Sequence, residues 1–141
     1  MLQRCTVEDV DLVLSAARLF DDEPRADLTA AFLAGPGNHL VLALVDGVPV
    51  GFVSGIEIVH PDKELEMLLY ELGVDESHRR AGHGRELVLA LAAIAVERSC
   101  GGMWVPVDPA NQAGIATYRS AGAGYEELSL IMSWDLLPGA N

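Results

Sequence analysis

The chain has 141 residues, 50% of them hydrophobic, and a formal net charge of −12. This length supports one substantial core but is short for two ordinary domains, so residues 1–141 are predicted to form a single domain. The acidic excess argues against a nucleic-acid partner, whose phosphates would be repelled, and is compatible with a cationic ligand. Solubility alone would also explain the same excess.

The cellular compartment is predicted from two further features. No apolar run reaches the length of a bilayer span, and residues 1–11 lack a basic-then-apolar leader pattern, which predicts a cytoplasmic protein with no membrane partner.

Cys5 and Cys100 lie far apart and have no His or Cys at metal-ligand spacing. They are expected to be small apolar residues, and neither a disulfide nor a metal site is predicted.

Two helices are predicted in the first part of the chain. Thr6 and Asp9 have the spacing of a capping box, and apolar residues then recur at helical spacing as far as Phe20. Pro24 suits the first turn of a second helix, with Leu28 among its inward residues.

The rest of the chain alternates between predicted strands and helices. Asp46 and Gly47 separate two β-rich runs, which is typical of a hairpin. The predicted strands cover residues 39–45, 48–59, 65–74, 103–107 and 125–136, and the later helices cover residues 85–98 and 111–121. This order predicts an α/β fold in which an antiparallel meander leads into a mixed sheet with helices on both faces.

The turn Arg79-Arg80-Ala81-Gly82-His83-Gly84 lies between a predicted strand and a predicted helix. The backbone N–H groups of this turn and the positive end of the helix dipole would both point to one position. This arrangement favours the binding of an anion. Glycine lets a phosphate reach the amides, and nearby arginines would add charge-assisted hydrogen bonds. A flexible turn, or arginines paired with acidic neighbours, would explain the same residues.

Two spaced motifs resemble those of the GCN5-related N-acetyltransferase (GNAT) superfamily. Arg79-x-x-Gly82-x-Gly84 resembles its acyl-CoA signature, and Asn111-x-x-Gly114-x-x-x-Tyr118-x-x-x-Gly122 resembles its companion motif. The resemblance implies an acetyl-CoA-dependent enzyme whose glycine turn holds the diphosphate of coenzyme A. The residues implied are Arg79, Arg80, Ala81, Gly82, His83, Gly84 and Arg85.

The same resemblance implies how the rest of the cofactor is held. Its pantetheine arm would lie between parallel strands that splay apart, here residues 67–74 and 103–107. The main chain of Leu72, Gly73 and Val74 would hydrogen-bond that arm. Asn111 would bridge the cofactor and the start of the last helix, a role compatible with a plain N-cap.

Three residues are candidates for acid and base catalysis. The resemblance implies that Tyr118 protonates the leaving thiolate, although a core tyrosine would look the same in sequence. A protonated amine has no lone pair, so its acylation needs a base. Glu71 is the first candidate because desolvation in an apolar strand would raise its pKa, and the alternative is a glutamate that reaches solvent or an arginine. Asp108 is the second candidate, as base or amine anchor, and otherwise caps a turn.

A closer resemblance, to the aminoglycoside 3-N-acetyltransferases, covers most of the chain. It rests on Ala16-Ala17-Arg18-Leu19-Phe20, Leu69-Tyr70-Glu71-Leu72-Gly73-Val74, His78-Arg79-Arg80 and Asp108-Pro109-Ala110. The family typically has aspartate where this chain has Glu71. The resemblance implies acetylation of the 3-amino group of an aminoglycoside. The acidic residues available for its ammonium groups are Asp21, Asp22, Glu23, Asp108, Glu126 and Glu127.

Other acceptors and other classes of protein stay open at this point. The acceptor could be a polyamine, an amino-acid amine or a peptide, or the chain could bind acyl-CoA without catalysis. The last strand commonly forms homodimer contacts in such folds. Leu128, Leu130, Met132 and Trp134 would fit a monomer core equally well.

Overall fold

The computed structural model describes residues 1–139. Its sheet has five strands in the order β1-β2-β3-β4-β5, namely Leu2–Arg4, Asn38–Val45, Val48–Ile58, Glu66–Val74 and Gly102–Trp104. Strands β1 to β4 pair antiparallel with one another in that order, and β5 is parallel to β4. The helices are α1 Val10–Leu14, α2 Ala26–Ala34, α3 His83–Glu97 and α4 Gln112–Ser120. The predicted mixed α/β sheet is confirmed.

Alternate residues of β2 point into two separate cores. Leu40 and Leu42 pack with Val13 of α1 on one face of the sheet. Val41 and Ala43 pack on the other face, in the core that includes the buried side of α3. All five side chains are at most 5% exposed, so the sheet is covered by helices on both faces, as predicted.

The N-terminal helix is shorter than its sequence pattern predicts. The capping box is present, because the Glu8 amide donates to Thr6 Oγ1 at 3.3 Å and the Thr6 amide donates to Asp9 Oδ2 at 2.8 Å. After α1 ends at Leu14, a separate 3-10 turn covers Ala17–Leu19. The inward orientation predicted for Leu28 is wrong, since that side chain of α2 is 58% exposed.

The hairpin between β2 and β3 forms as the sequence predicts. Asp46 and Gly47 have φ values of 51° and 78°, so both central residues of the turn are left-handed. This is the backbone that a two-residue turn needs to match the twist of its strands. Val45 pairs directly with Val48 across the turn.

A β-bulge interrupts the pairing of β3 with β4. Ser54 pairs with Glu71, but the next residue, Gly55, pairs with Leu69, so Tyr70 is the extra residue. An extra residue shifts the alternation of side chains between the two faces of a strand.

The bulge exchanges the faces of β4. Met67 and Leu69, before it, are buried in the core that contains α3. Beyond it, Leu72 and Val74 pack against that core, and the intervening Gly73 faces Phe52 in the other layer. Strict alternation from Leu69 would have put Glu71 under α3, whereas the bulge turns it to the side of α1 and α2.

The last predicted strand is absent from the described part of the chain. Residues 123–139, here called the C-terminal arm, contain no helix or strand in the structure. Strand β5 is also shorter than predicted and ends at Trp104. Within residues 1–139, no helix is both long and apolar enough to cross a bilayer.

Candidate active site

The turn that connects β4 to α3 has the geometry of an anion site. Arg80 and Gly82 are left-handed, with φ values of 63° and 87°, and Gly82 is the N-cap of α3. The first amides of a helix have no acceptor within the helix. A Cβ built on Gly82 would meet no atom within 4 Å, so the space beside it is open. An anion can therefore approach the start of α3.

The arginines in and beside this turn differ in their hydrogen-bond partners. Arg79 Nε donates to the Val74 carbonyl at 3.3 Å, and Arg85 Nε donates to the Ser120 carbonyl at 3.1 Å. Both side chains thus connect the turn to neighbouring elements. Within residues 1–139, the exposed Arg80 side chain makes no hydrogen bond or ion pair. Arg80 is the arginine best available to an anion.

Gly84 has a packing role that the sequence motif does not reveal. A Cβ at this position would lie 3.2 Å from Cγ2 of Thr117, on α4. The missing side chain therefore lets α3 and α4 approach closely. The role of Gly84 at the phosphate site stays a prediction.

Strands β4 and β5 are paired over only a short length. Glu66 to Leu68 pair with Gly102 to Trp104, after which β5 ends and β4 continues to Val74. Within residues 1–139, one edge of the later part of β4 therefore lacks a strand partner. The main chain of Leu72, Gly73 and Val74 belongs to this part, which fits the predicted gap for an extended ligand. Their contact with a ligand stays a prediction.

A cavity, here called the acidic cavity, lies on the side of the sheet covered by α1 and α2. Asp21, Asp22, Glu23 and Glu71 contribute to its walls, and the walls of its larger part are otherwise mostly apolar. Two adjoining spaces of about 260 and 490 Å³ share Phe20, Asp22, Tyr70 and Glu71 as walls. Asp21 also lines the smaller space, and Glu23 lines the larger one. The structure thus brings the predicted base together with the predicted substrate residues Asp21 and Glu23.

The carboxyl group of Glu71 has a raised pKa. Partial burial is the main cause, and the negative charges of Asp21 and Asp22 add to it. Burial and like charges both disfavour the ionised form of a carboxyl group. A cation in the cavity would therefore reduce the electrostatic cost of ionising Glu71.

Ser54 places a buried hydroxyl in the same cavity. The residue is 3% exposed, pairs with Glu71 across the bulge and lines the larger space. Among residues 1–139, its Oγ has no hydrogen-bond partner. Leaving a buried hydroxyl unpaired is costly, so this atom is suited to a polar group of a ligand or to a water molecule. In the sequence, the signal that could have indicated this buried hydroxyl is a serine within the apolar run of β3.

Arg18 connects the segment that leads to Asp21 and Asp22 to the sheet. Its Nη2 donates to Asp75 Oδ2 at 2.9 Å and to the Pro49 carbonyl at 2.7 Å. The hydrogen bond from Arg18 holds the pKa of Asp75 below its usual range. Because Arg18 closely precedes Asp21 and Asp22, this contact helps to position their segment. The sequence pattern did not reveal this role.

Three predicted residues lie at or near α4. Tyr118 is half-buried against the core that contains α3, and burial raises its pKa, so the phenol stays protonated. Asn111 is the N-cap of α4, with Oδ1 accepting from the Gly114 amide at 3.0 Å. Asp108 is exposed, and its Oδ1 accepts from the Ala110 amide at 2.9 Å. Asn111 and Asp108 thus have capping roles in the fold, and their roles toward ligands stay predictions.

The thiols and acidic groups form no metal site within residues 1–139. Cys5 and Cys100 are free thiols. Burial raises the pKa of Cys5 to about 12, which keeps it protonated at neutral pH.

Residues 9–123 match the model of the Acetyltransferase (GNAT) family. The chain belongs to this family. The matched range contains the whole sheet from β2 to β5 and both sequence motifs. A comparison with curated proteins finds no match.

Solved structures of other acetyltransferases have a similar fold. The aminoglycoside acetyltransferase meta-AAC0020 from an uncultured soil metagenomic sample, in complex with sisomicin, is 19% identical with a TM-score of 0.90, covering 97% of this chain and 96% of that one. Aminoglycoside N-acetyltransferase AAC(6′)-Iy in complex with CoA is 18% identical with a TM-score of 0.75, covering 96% and 93%. A ribosomal-protein-alanine N-acetyltransferase from Brucella melitensis biovar Abortus 2308 is 20% identical with a TM-score of 0.75, covering 95% and 98%.

Gly73 of this GNAT protein permits a close contact beside the cavity. A Cβ there would lie 2.8 Å from Phe52 Cε1 and 2.9 Å from the Leu19 carbonyl oxygen. The Phe52 ring is buried and stacks on Phe20 with centroids 4.1 Å apart, so it has little room to move. We expect Gly73→Ala to lower the free energy of unfolding by about 1–3 kcal/mol, measured by urea denaturation.

Gly102→Ala is the matched control for Gly73→Ala. It also lies in a strand, and a Cβ there meets no atom within 4 Å. We expect Gly102→Ala to change the free energy of unfolding much less. Equal losses in the two variants would contradict the steric explanation.

Proposed function

We propose that this GNAT protein transfers an acetyl group from acetyl-CoA to an amine of an aminoglycoside, at the 3-amino group that the sequence resemblance implies. The observation that carries the proposal is the acidic cavity formed by Glu71 with Asp21, Asp22 and Glu23. Aminoglycosides carry several ammonium groups, and clustered carboxylates attract such a ligand. The sisomicin complex of the similar protein meta-AAC0020 supports this class of acceptor.

The chain also offers a site for the cofactor, at the turn between β4 and α3 and along the adjacent edge of β4. The open start of α3 and the Arg80 guanidinium suit a diphosphate. The unpaired edge of β4 at Leu72 to Val74 suits an extended amide-containing arm, which could hydrogen-bond as a strand does. The similar protein AAC(6′)-Iy is in complex with CoA, which supports the same use of this fold here.

In the proposed reaction, acetyl-CoA supplies the acetyl group as a thioester. Glu71 removes a proton from the acceptor ammonium, directly or through water, and frees the nitrogen lone pair. The N–C bond forms as the C–S bond breaks. Tyr118, kept protonated by burial, gives its proton to the departing thiolate. The second proton that the attacking nitrogen loses as the amide forms then returns to the Tyr118 oxygen, directly or through water, and restores the phenol.

Acceptor profiling tests this proposal. A thiol-release assay with acetyl-CoA would compare a gentamicin-type aminoglycoside, spermidine and a peptide with a free N-terminus. We expect turnover with the aminoglycoside, and NMR of the product would locate the acetyl group on the 3-amino nitrogen. Robust turnover of spermidine or the peptide without activity on aminoglycosides would overturn it.

A second candidate is acetylation of the 6′-amine of the same acceptor class. The observation that favours it is the similarity to AAC(6′)-Iy, a 6′ enzyme by name. The same NMR spectrum separates the two positions. Binding of acetyl-CoA without thiol release for any amine would instead indicate a non-catalytic acyl-CoA-binding protein.

Removing the phenolic hydroxyl of Tyr118 tests its proposed role as acid. We expect Tyr118→Phe to lower kcat by roughly 10²-fold while the Kd for acetyl-CoA, measured by calorimetry, changes little. Tyr125→Phe is the control, because Tyr125 lies in the C-terminal arm and is 82% exposed. An unchanged kcat in Tyr118→Phe would mean that the thiolate leaves without this proton donor.

A further inference from the structure

The Ser54 hydroxyl lies close to the carboxyl group of Glu71. The two residues are direct partners in the antiparallel pairing of β3 with β4, and both line the larger space of the acidic cavity. Side chains of directly opposite residues point to the same face, with their Cβ atoms about 5 Å apart. If the ammonium group of a ligand contacts Glu71, the ligand atoms two or three bonds further along are therefore within reach of Ser54.

The two spaces of the acidic cavity suit different parts of an acceptor. Asp21, Asp22 and Glu71 surround the smaller space, and Asp21 lines that space alone. Their negative charges favour an ammonium group there. Ser54 lines only the larger space. An acceptor whose amine meets the three carboxyl groups would thus extend its remaining atoms past Ser54.

The surroundings of Ser54 in the larger space are mostly apolar. The apolar walls of this space are Val13, Pro24, Leu28, Phe32, Leu40 and Ile56. Within residues 1–139, Ser54 Oγ is buried and has no hydrogen-bond partner. A hydroxyl can donate one hydrogen bond, and apolar surroundings strengthen that bond when it forms. The position therefore distinguishes a ligand oxygen from a ligand methylene group.

We propose that Ser54 determines acceptor specificity by donating a hydrogen bond to an oxygen two carbon atoms away from the acceptor nitrogen. Amines with the unit N–C–C–O are then preferred over amines with hydrocarbon at the same position. The role assigned to Ser54 rests on the proposed acetylation of an amine, but not on the identity of that amine. Aminoglycosides contain this unit, because their amines lie on carbons whose neighbours carry oxygen.

A matched pair of acceptors tests this role. The ether 2-(benzyloxy)ethylamine and the hydrocarbon 4-phenylbutylamine have the same number of non-hydrogen atoms, and each has a phenyl ring suited to the apolar walls. Thiol release would give kcat/KM for both. We expect the parent protein to prefer the ether, and Ser54→Ala to reduce that preference roughly fivefold or more. The ether also makes its amine less basic, but this difference is the same for both proteins and cancels.

Two controls separate this effect from a change in folding. Ser15→Ala removes an exposed hydroxyl outside the cavity, whose Oγ donates to the Leu12 carbonyl at 2.6 Å. We expect this variant to keep the parent preference. Because Ser54→Ala breaks no hydrogen bond within residues 1–139, its midpoint in urea should not fall below that of the parent. A lower midpoint would show that Oγ is already bonded within the protein and would overturn the proposal.

The remaining outcomes are decisive as well. An equal loss of kcat/KM with both amines would assign Ser54 to the ammonium group, or to a water molecule that serves Glu71, and would overturn the proposal. An unchanged preference in Ser54→Ala overturns it too. Thiol release with an aminoglycoside but with neither phenyl amine overturns the role of Ser54 and leaves the proposed function intact. A preference that is lost in Ser54→Ala, without turnover of any aminoglycoside, supports the role of Ser54 and excludes the aminoglycoside as acceptor.

Discussion

Glu71→Gln is expected to lower turnover by roughly 10²-fold or more while the Kd for acetyl-CoA stays nearly unchanged. Glutamine keeps the shape of the side chain but cannot accept the ammonium proton. The change therefore removes the proposed base without emptying the cavity. Steady-state kinetics and calorimetry would measure the two quantities, with the exposed Glu64→Gln as the control.

The pH dependence separates Glu71 from Asp108 as the base. Activity should rise with pH as Glu71 ionises, through a pKa above the ordinary 4.5 of a glutamate. Asp21→Asn and Asp22→Asn each remove a negative charge that raises this pKa, so the acidic limb of the kcat profile should move to lower pH. An acidic limb that stays in place in both variants would point away from Glu71.

The same carboxyl group should oppose stability at neutral pH. Because its pKa is higher in the folded protein than in the unfolded chain, folding favours the protonated form. The stabilising effect of protonated Glu71 is fully present below the pKa of the unfolded chain. It is lost as the pH rises through the pKa of the folded protein. Glu71→Gln should therefore have a higher Tm than the parent at pH 8, and the difference should fall toward pH 4.

Gly82→Ala is expected to raise the KM for acetyl-CoA at least tenfold. Gly82 has φ of 87° at the start of α3, a conformation that costs an alanine about 1–2 kcal/mol. Relief of that strain would shift the turn and misalign the amides proposed to hold the diphosphate. Initial-rate kinetics at varied acetyl-CoA would measure the effect.

Gly47→Ala provides a closely matched control for Gly82→Ala. Gly47 has φ of 78°, and a Cβ at either glycine meets no atom within 4 Å. The two substitutions should therefore cost similar amounts of unfolding free energy, but Gly47 lies in the β2–β3 hairpin. A raised KM in both variants would assign the effect to general destabilisation and not to the turn.

The elements that the sequence predicts correctly have local causes. Asp46 and Gly47 supply the left-handed residues of the hairpin turn by themselves. Helix α3 is predicted by the helical period of its apolar residues together with Gly101 and Gly102, which follow it. Strand β1 was not predicted, because its three residues become a strand only by pairing with β2.

The parts of the site that sequence did not predict depend on distant partners. Ser54 matters because it lies opposite Glu71, and Arg18 matters because it reaches Asp75. The strand predicted over residues 125–136 does not form in the described part of the chain, although its sequence is rich in apolar residues. No local signal fixes such pairings, whereas the anion turn is contained in a few successive residues.

Because Tyr70 is an extra residue in β4, odd-numbered side chains before and after it face opposite sides of the sheet. Odd-numbered side chains ahead of it, such as Met67, maintain the core, while Glu71 beyond it faces the acidic cavity. Acceptor preference could thus be redesigned at Tyr70, which lines the same cavity as the proposed base Glu71, without disturbing the packing of α3. Mutant libraries aimed at new amines should vary Tyr70 and leave Glu71, Leu72 and Val74 intact.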